Sequence, residues 1–137
     1  MSTAADKNKE ALSSEYALLS QIATELKNRI DLINVAINDF ETALASLKEI
    51  SKLSNGETLL VPIGGNIMIR VSFLEGDKVL VNVGSGVVVE KSFNDAISYL
   101  EEKVKLMREE LKKRANEYQT ILQRMSYIEG QVISRKE

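Results

Sequence analysis

Apolar residues recur every 3.5 positions along both flanks of this chain, and that period limits the fold more than any other feature. In the N-terminal flank Tyr16, Ala23, Ile30, Ile37 and Leu44 stand seven apart. Leu12, Leu19, Leu26, Ile33, Phe40 and Leu47 form a second series at the same spacing. In the C-terminal flank one series is Ile97, Val104, Leu111, Tyr118, Met125 and Val132, and the other is Phe93, Leu100, Met107, Arg114, Ile121 and Ile128. An α-helix turns once in 3.6 residues. A seven-residue repeat held this long keeps one seam against a partner only if the helices wind left-handedly about each other. Both flanks therefore predict coiled-coil helices, the first over about 10–53 and the second over about 93–135. Residues 1–10 are small and polar and are expected to fray.

Between the flanks lies Glu57–Lys91, ETLLVPIGGNIMIRVSFLEGDKVLVNVGSGVVVEK, where Val, Ile and Leu dominate and Gly interrupts at short intervals. β-branched residues fit a pleated surface, and Gly supplies the positive φ of tight turns. Four strands are predicted: Thr58–Ile63, Asn66–Phe73, Lys78–Val83 and Val87–Lys91. The turns fall at Gly64-Gly65, Glu75-Gly76-Asp77 and Gly84-Ser85-Gly86. Turns this short join antiparallel neighbours, so the insert is two hairpins or one four-stranded meander. Pro62 cannot donate to a ladder and marks an edge or a strand end. Asn55-Gly56 stops the first helix. Ser92 to Asp95 fits a capping box for the second.

The two helical segments make rods of roughly 60 Å at ~1.5 Å per residue. The insert joins their near ends, which makes them antiparallel, with Leu47 facing Ile97, Ile30 facing Arg114 and Leu12 facing Val132. Arg114 is the one charged residue in the seam. Its stem is expected to pack while its head reaches a carboxylate such as Glu110. The fold class is α+β: a long antiparallel two-helix coiled coil whose four-stranded, two-hairpin insert forms an oligomerisation barrel. One module spans 1–137. Short, Val-rich strands with open edges bury little alone, so Ile67, Ile69, Val71, Val79, Val81, Val83, Val87 and Val89 are expected to pack against their own and neighbouring subunits.

Composition excludes several functions. The chain has no His and no Cys, which removes the commonest general base, metal ligand and thiol. Net charge is −2, and the segments before, within and after the insert carry −2, −1 and +1, so no basic face points to nucleic acid. No 18-residue apolar run exists to span a membrane, and residues 1–16 lack the apolar core of a signal peptide. The glycine pairs lack the Lys-Ser/Thr of a phosphate loop. The expectation is a cytoplasmic non-enzyme with no cofactor, no metal site, no nucleic acid and no membrane.

LLVPIGGN (Leu59–Asn66) and VLVNVGSGVVVEKSFNDAISYLEEKV (Val79–Val104), set between two heptad helices, resemble prefoldin, the chaperone also called GimC. The resemblance is to its archaeal α-type subunit, which has four strands where the β type has two. It covers nearly the whole chain. It implies a hexamer of two α-type and four β-type subunits, with a second α subunit and the β-type subunits as partners. It implies a double-barrel platform bearing six coiled coils, capture of non-native polypeptides without ATP, and their delivery to a group II chaperonin. The tail beyond Val132 is shorter than in longer members.

A holding chaperone needs apolar surface that water reaches and an unfolded chain can cover. The coil end opposite the insert has no loop, so its seam is expected to fray and open. The candidate client-binding residues there are Leu12, Tyr16, Leu18, Leu19, Ile22, Ile121, Leu122, Met125, Tyr127, Ile128 and Val132, with Ile133 beside them. Met125 is flexible enough for promiscuous contact, and Gly130 weakens its helix. Two other functions fit the same residues: a filament built through the insert, and a coiled-coil tether in another complex.

Overall fold

A computed structural model describes residues 3–76 and 78–134. The elements run α1 (Ala4–Ile50), β1 (Thr58–Gly64), β2 (Ile67–Ser72), β3 (Val79–Gly84), β4 (Val87–Lys91) and α2 (Phe93–Ser134). Residues 1 and 2 of the segment expected to fray, Asp77 of the second turn and residue 135 of the second helix lie outside the described residues.

Helix α1 begins six residues earlier than its periodicity predicts, because of a capping box that the heptad does not register. The Thr3 amide donates to Asp6 Oδ2 at 3.3 Å, and the Asp6 amide donates to Thr3 Oγ1 at 3.2 Å. This exchange satisfies free N–H groups and places an acidic side chain on the positive end of the helix. Residues 4–10 thus form the first turns of α1. The helix ends at Ile50, short of 53, because its last turn tightens: the Leu53 amide bonds the Ile50 carbonyl at 3.0 Å. Helix α2 starts where Ser92 Oγ accepts the Asp95 amide at 3.1 Å.

The chain gathers into two compact units, Met1–Ile37 with Leu106–Glu137 and Asn38–Lys105, each holding part of both helices. In the first unit Glu15 pairs with Arg124 and Arg29 with Glu110, so the helices run antiparallel. All positions of both heptad series in this unit are buried or half-buried, with Ala23, Ile33, Ile37 and Ile128 closed most completely. Arg114 sits in the seam about one-third exposed, as expected of a packed stem, but its head finds a different main partner. Its guanidinium lies 3.2 Å from both Glu117 oxygens and 3.9 Å from Glu110. Glu110 is already engaged by Arg29 at 2.8 Å, which explains the difference.

In the second unit Leu44, Ala96, Leu100 and Val104 are buried between the helices, and Lys48 faces Glu101 at 3.5 Å. The insert forms two separate two-stranded antiparallel sheets, β1-β2 and β3-β4, rather than one meander. The hairpins share one design, twenty residues apart. Pro62 pairs with Met68, Ile63 bulges out, and Gly64 pairs with Ile67. Asn82 pairs with Val88, Val83 bulges out, and Gly84 pairs with Val87.

Each hairpin turn needs two consecutive residues at positive φ, Gly65-Asn66 (56° and 60°) and Ser85-Gly86 (52° and 77°), the signature of a type I′ turn. The first turn thus lies one residue past its predicted place, and the second falls within the predicted Gly84-Ser85-Gly86. LLVPIGGNIMI and VLVNVGSGVVV thus form an internal repeat that the strand-by-strand reading overlooks. Asn55, predicted only as a helix breaker, also clamps the loop after β2 by accepting the Glu75 amide at 3.0 Å. Phe73 packs edge-on against Phe93 with centroids 5.9 Å apart, tying the end of β2 to the start of α2.

Candidate functional site

Two surfaces carry the predicted residues, one on the hairpins and one at the helix ends of the first unit. On the hairpins, cross-strand register sets the faces. Leu59, Val61, Ile69 and Val71 share one face of the first hairpin, and Leu60, Pro62, Met68 and Arg70 share the other. Val79, Val81 and Val89 share one face of the second, and Leu80, Asn82, Val88 and Glu90 the other.

Of the predicted assembly residues, Val71, Val79 and Val81 are half-buried, while Ile67, Ile69, Val83, Val87 and Val89 are exposed. The opposite faces were missed. Leu60, Met68 and Leu80 are each more than 60% exposed, and Val88 is open beside them. Their signal was present as the unbroken apolar runs LLV, VLV and VVV, which place apolar groups on both faces of a strand. Among the described residues, twelve of the eighteen large apolar side chains left exposed lie between Leu60 and Val89. The other helix faces hold the rest: Leu18, Leu32, Val35, Leu106, Tyr127 and Ile133. A cleft of about 440 Å³ runs between β3 and the helices, lined by Phe40, Ala43, Leu47, Val79, Val81, Tyr99 and Leu100 among others.

At the helix ends the seam is closed. Leu18 and Tyr127 are exposed, as is Ile133; Leu12, Tyr16, Leu19, Ile22, Ile121, Leu122, Met125 and Val132 are half-buried. Ile128 is only 1% exposed and is the largest fully buried side chain among the described residues. It is core here, and two polar pairs link the helices at neighbouring positions. Arg124 grips Glu15 through Nε at 2.8 Å and a terminal nitrogen at 2.9 Å, and its guanidinium lies 5.1 Å from the Tyr127 ring. The Tyr16 hydroxyl donates to Glu129. A hollow of about 310 Å³ lined by Ser13, Tyr16, Ile128, Glu129, Val132 and Ile133 lies alongside.

These pairs were legible in the sequence. In the register of the seam, Glu15, Arg29, Glu110 and Arg124 all occupy the heptad position that flanks it, where antiparallel helices set like positions opposite each other. The hydrogen bond from Arg124 holds the Glu15 carboxyl below its ordinary value and raises the guanidinium in turn. The bond to Glu129 pushes the Tyr16 phenol up, and the bond from Arg29 holds Glu110 down. Among the described residues, no group of His, Cys, Asp and Glu is arranged to hold a metal ion. Nor, among the described residues, is any helix long and apolar enough to cross a membrane.

Comparison with known proteins places this architecture. The family model described as "Prefoldin subunit" matches residues 6–135. A prefoldin subunit alpha from Thermofilum pendens is 32% identical over 126 residues, covering 92% of this chain and 98% of the relative. One from Pyrococcus horikoshii is 33% identical over 109 residues, covering 79% and 74%. Among solved structures, a cryo-EM structure of filamentous PFD from Methanocaldococcus jannaschii matches with a TM-score of 0.65 and 26% identity, covering 91% of this chain and 98% of that one. Matched nearly end to end, and built from two long helices around two hairpins, the chain belongs to the prefoldin family, in its archaeal α-type branch.

Proposed function

We propose that this chain is a subunit of an ATP-independent holding chaperone that binds unfolded polypeptides at the helix ends of its first unit and delivers them to a group II chaperonin. The hairpins join it to a second copy and to β-type prefoldin subunits, two α with four β, in a cytoplasmic hexamer. No cofactor, nucleic acid or membrane takes part, and the chain is not an enzyme. Family membership supplies the chaperone role. The observation that carries the finer reading is where apolar surface remains open: chiefly on both faces of the hairpins, and again at Leu18, Tyr127 and Ile133.

Short isolated hairpins are marginal in water, and each large apolar side chain is worth about 1.5–3 kcal/mol when fully buried. Partner subunits that cover the hairpins recover that energy. At the helix ends a few such side chains give weak contacts, and several copies in one assembly add them by avidity. Removal of residues 1–15 together with 128–137 is expected to leave the oligomer intact by light scattering but to abolish protection of a denatured protein from aggregation. Undiminished protection moves the binding site elsewhere.

A second reading, polymerisation into filaments, is favoured by one observation: the similar M. jannaschii chain is filamentous and is matched over 98% of its length. It ranks below the first because the curated relatives are named as α subunits.

A further inference from the structure

Resting on the holding role proposed above, we propose that Glu15–Arg124 and Tyr16–Glu129 form a clasp that keeps the seam at the helix ends shut, and that an unfolded chain binds there by displacing it. The apolar groups expected to receive a client fall into two sets. Leu18, Tyr127 and Ile133 already face water. Ile128 and Val132 lie in the seam, Ile128 sealed, and share one hollow with Tyr16 and Glu129 of the clasp. Only the second set needs an opening step.

Both pairs link α1 to α2, and both fall within two turns of Ile128. The carboxylates and guanidinium are solvent-facing, so the pairs are weak enough to break thermally yet specific in geometry. Such a clasp sets the open fraction. Where a ligand binds only the open form, its apparent dissociation constant is the intrinsic constant divided by that fraction. The clasp therefore prevents idle exposure of an aggregation-prone seam while leaving it reachable to a chain that presents enough apolar surface.

The test uses the full chain in its native oligomer, with reduced and carboxymethylated lysozyme as a permanently unfolded probe. In the double variant Glu15→Gln with Glu129→Ala, amides of residues 125–133 are expected to exchange about fivefold faster, the size an exposed ion pair supplies. The dissociation constant for the probe falls by the same factor. Arg29→Gln, which removes a comparable pair elsewhere on the coil, leaves both readings unchanged. Faster exchange without tighter binding overturns the clasp, because the client then uses only the open residues. Unchanged exchange overturns it too, because the pairs then do not hold the seam. A wild-type oligomer that binds none of the probe overturns the holding role itself, and the clasp with it.

Discussion

Arg29 and Glu110 behave differently from the apolar seam they border. The seam positions were readable one by one from their spacing, and all of them are shielded from water in the fold. Pairs across the seam, such as Arg29–Glu110, follow from the flanking position they share, but the partner of a charge inside the seam was not readable, because several carboxylates lie in reach and geometry decides among them. Arg114 shows this: Glu110 lies four residues before it, yet Glu117 holds it more closely while Arg29 occupies Glu110.

That arrangement sets a pH dependence. The Glu110 carboxyl is held below its ordinary value of 4.5 by the bond from Arg29. A depressed acid adds stability above its ordinary value, and this is lost as the pH falls through the lowered one. The wild type is therefore expected to melt above Glu110→Gln at pH 7, by at most a few degrees for so exposed a pair. The gap holds down to about pH 4.5 and closes below it. Thermal denaturation of both proteins across that range is the check. Tyr16 works in the opposite sense: its phenol is raised above 10 by Glu129, so its share persists at neutral pH and fades only in strong alkali.

At the scale of elements, helix existence and strand identity were legible, while ends and turns were not. The heptad says nothing about where a helix is capped, so Thr3 and Asp6 extended α1 ahead of its first seam residue. Glycine content placed the turns within a residue, but which two residues take positive φ depends on the bulges at Ile63 and Val83. Hairpin faces were half legible. A search for alternation selects one face and passes over Leu60, Met68, Leu80 and Val88, which are the more open ones.

Val81 pairs with Val89 and stands half-buried beside the helices. Placing a carboxylate there removes apolar contact and desolvates a charge, at a cost of several kcal/mol if partners cover the hairpin. Val81→Asp is expected to give monomers or aggregates by size exclusion with light scattering. An oligomer of normal size would show that this face is not an interface.

For the whole molecule, the sequence and its family resemblance admitted a chaperone, a filament and a tether, and family membership narrows these without choosing the assembly's geometry. The protein purified alone decides between closed and open growth. Dimers or small oligomers by electron microscopy are expected, completed to a larger particle only when β-type subunits are added. Long fibres from the pure chain support the filament reading instead.

The duplicated hairpin gives this choice its physical meaning. On the proposed reading both hairpins are joints, so each copy can engage two neighbours at once. In the proposed hexamer, how many particles are completed then follows the ratio in which the α-type and β-type chains are made.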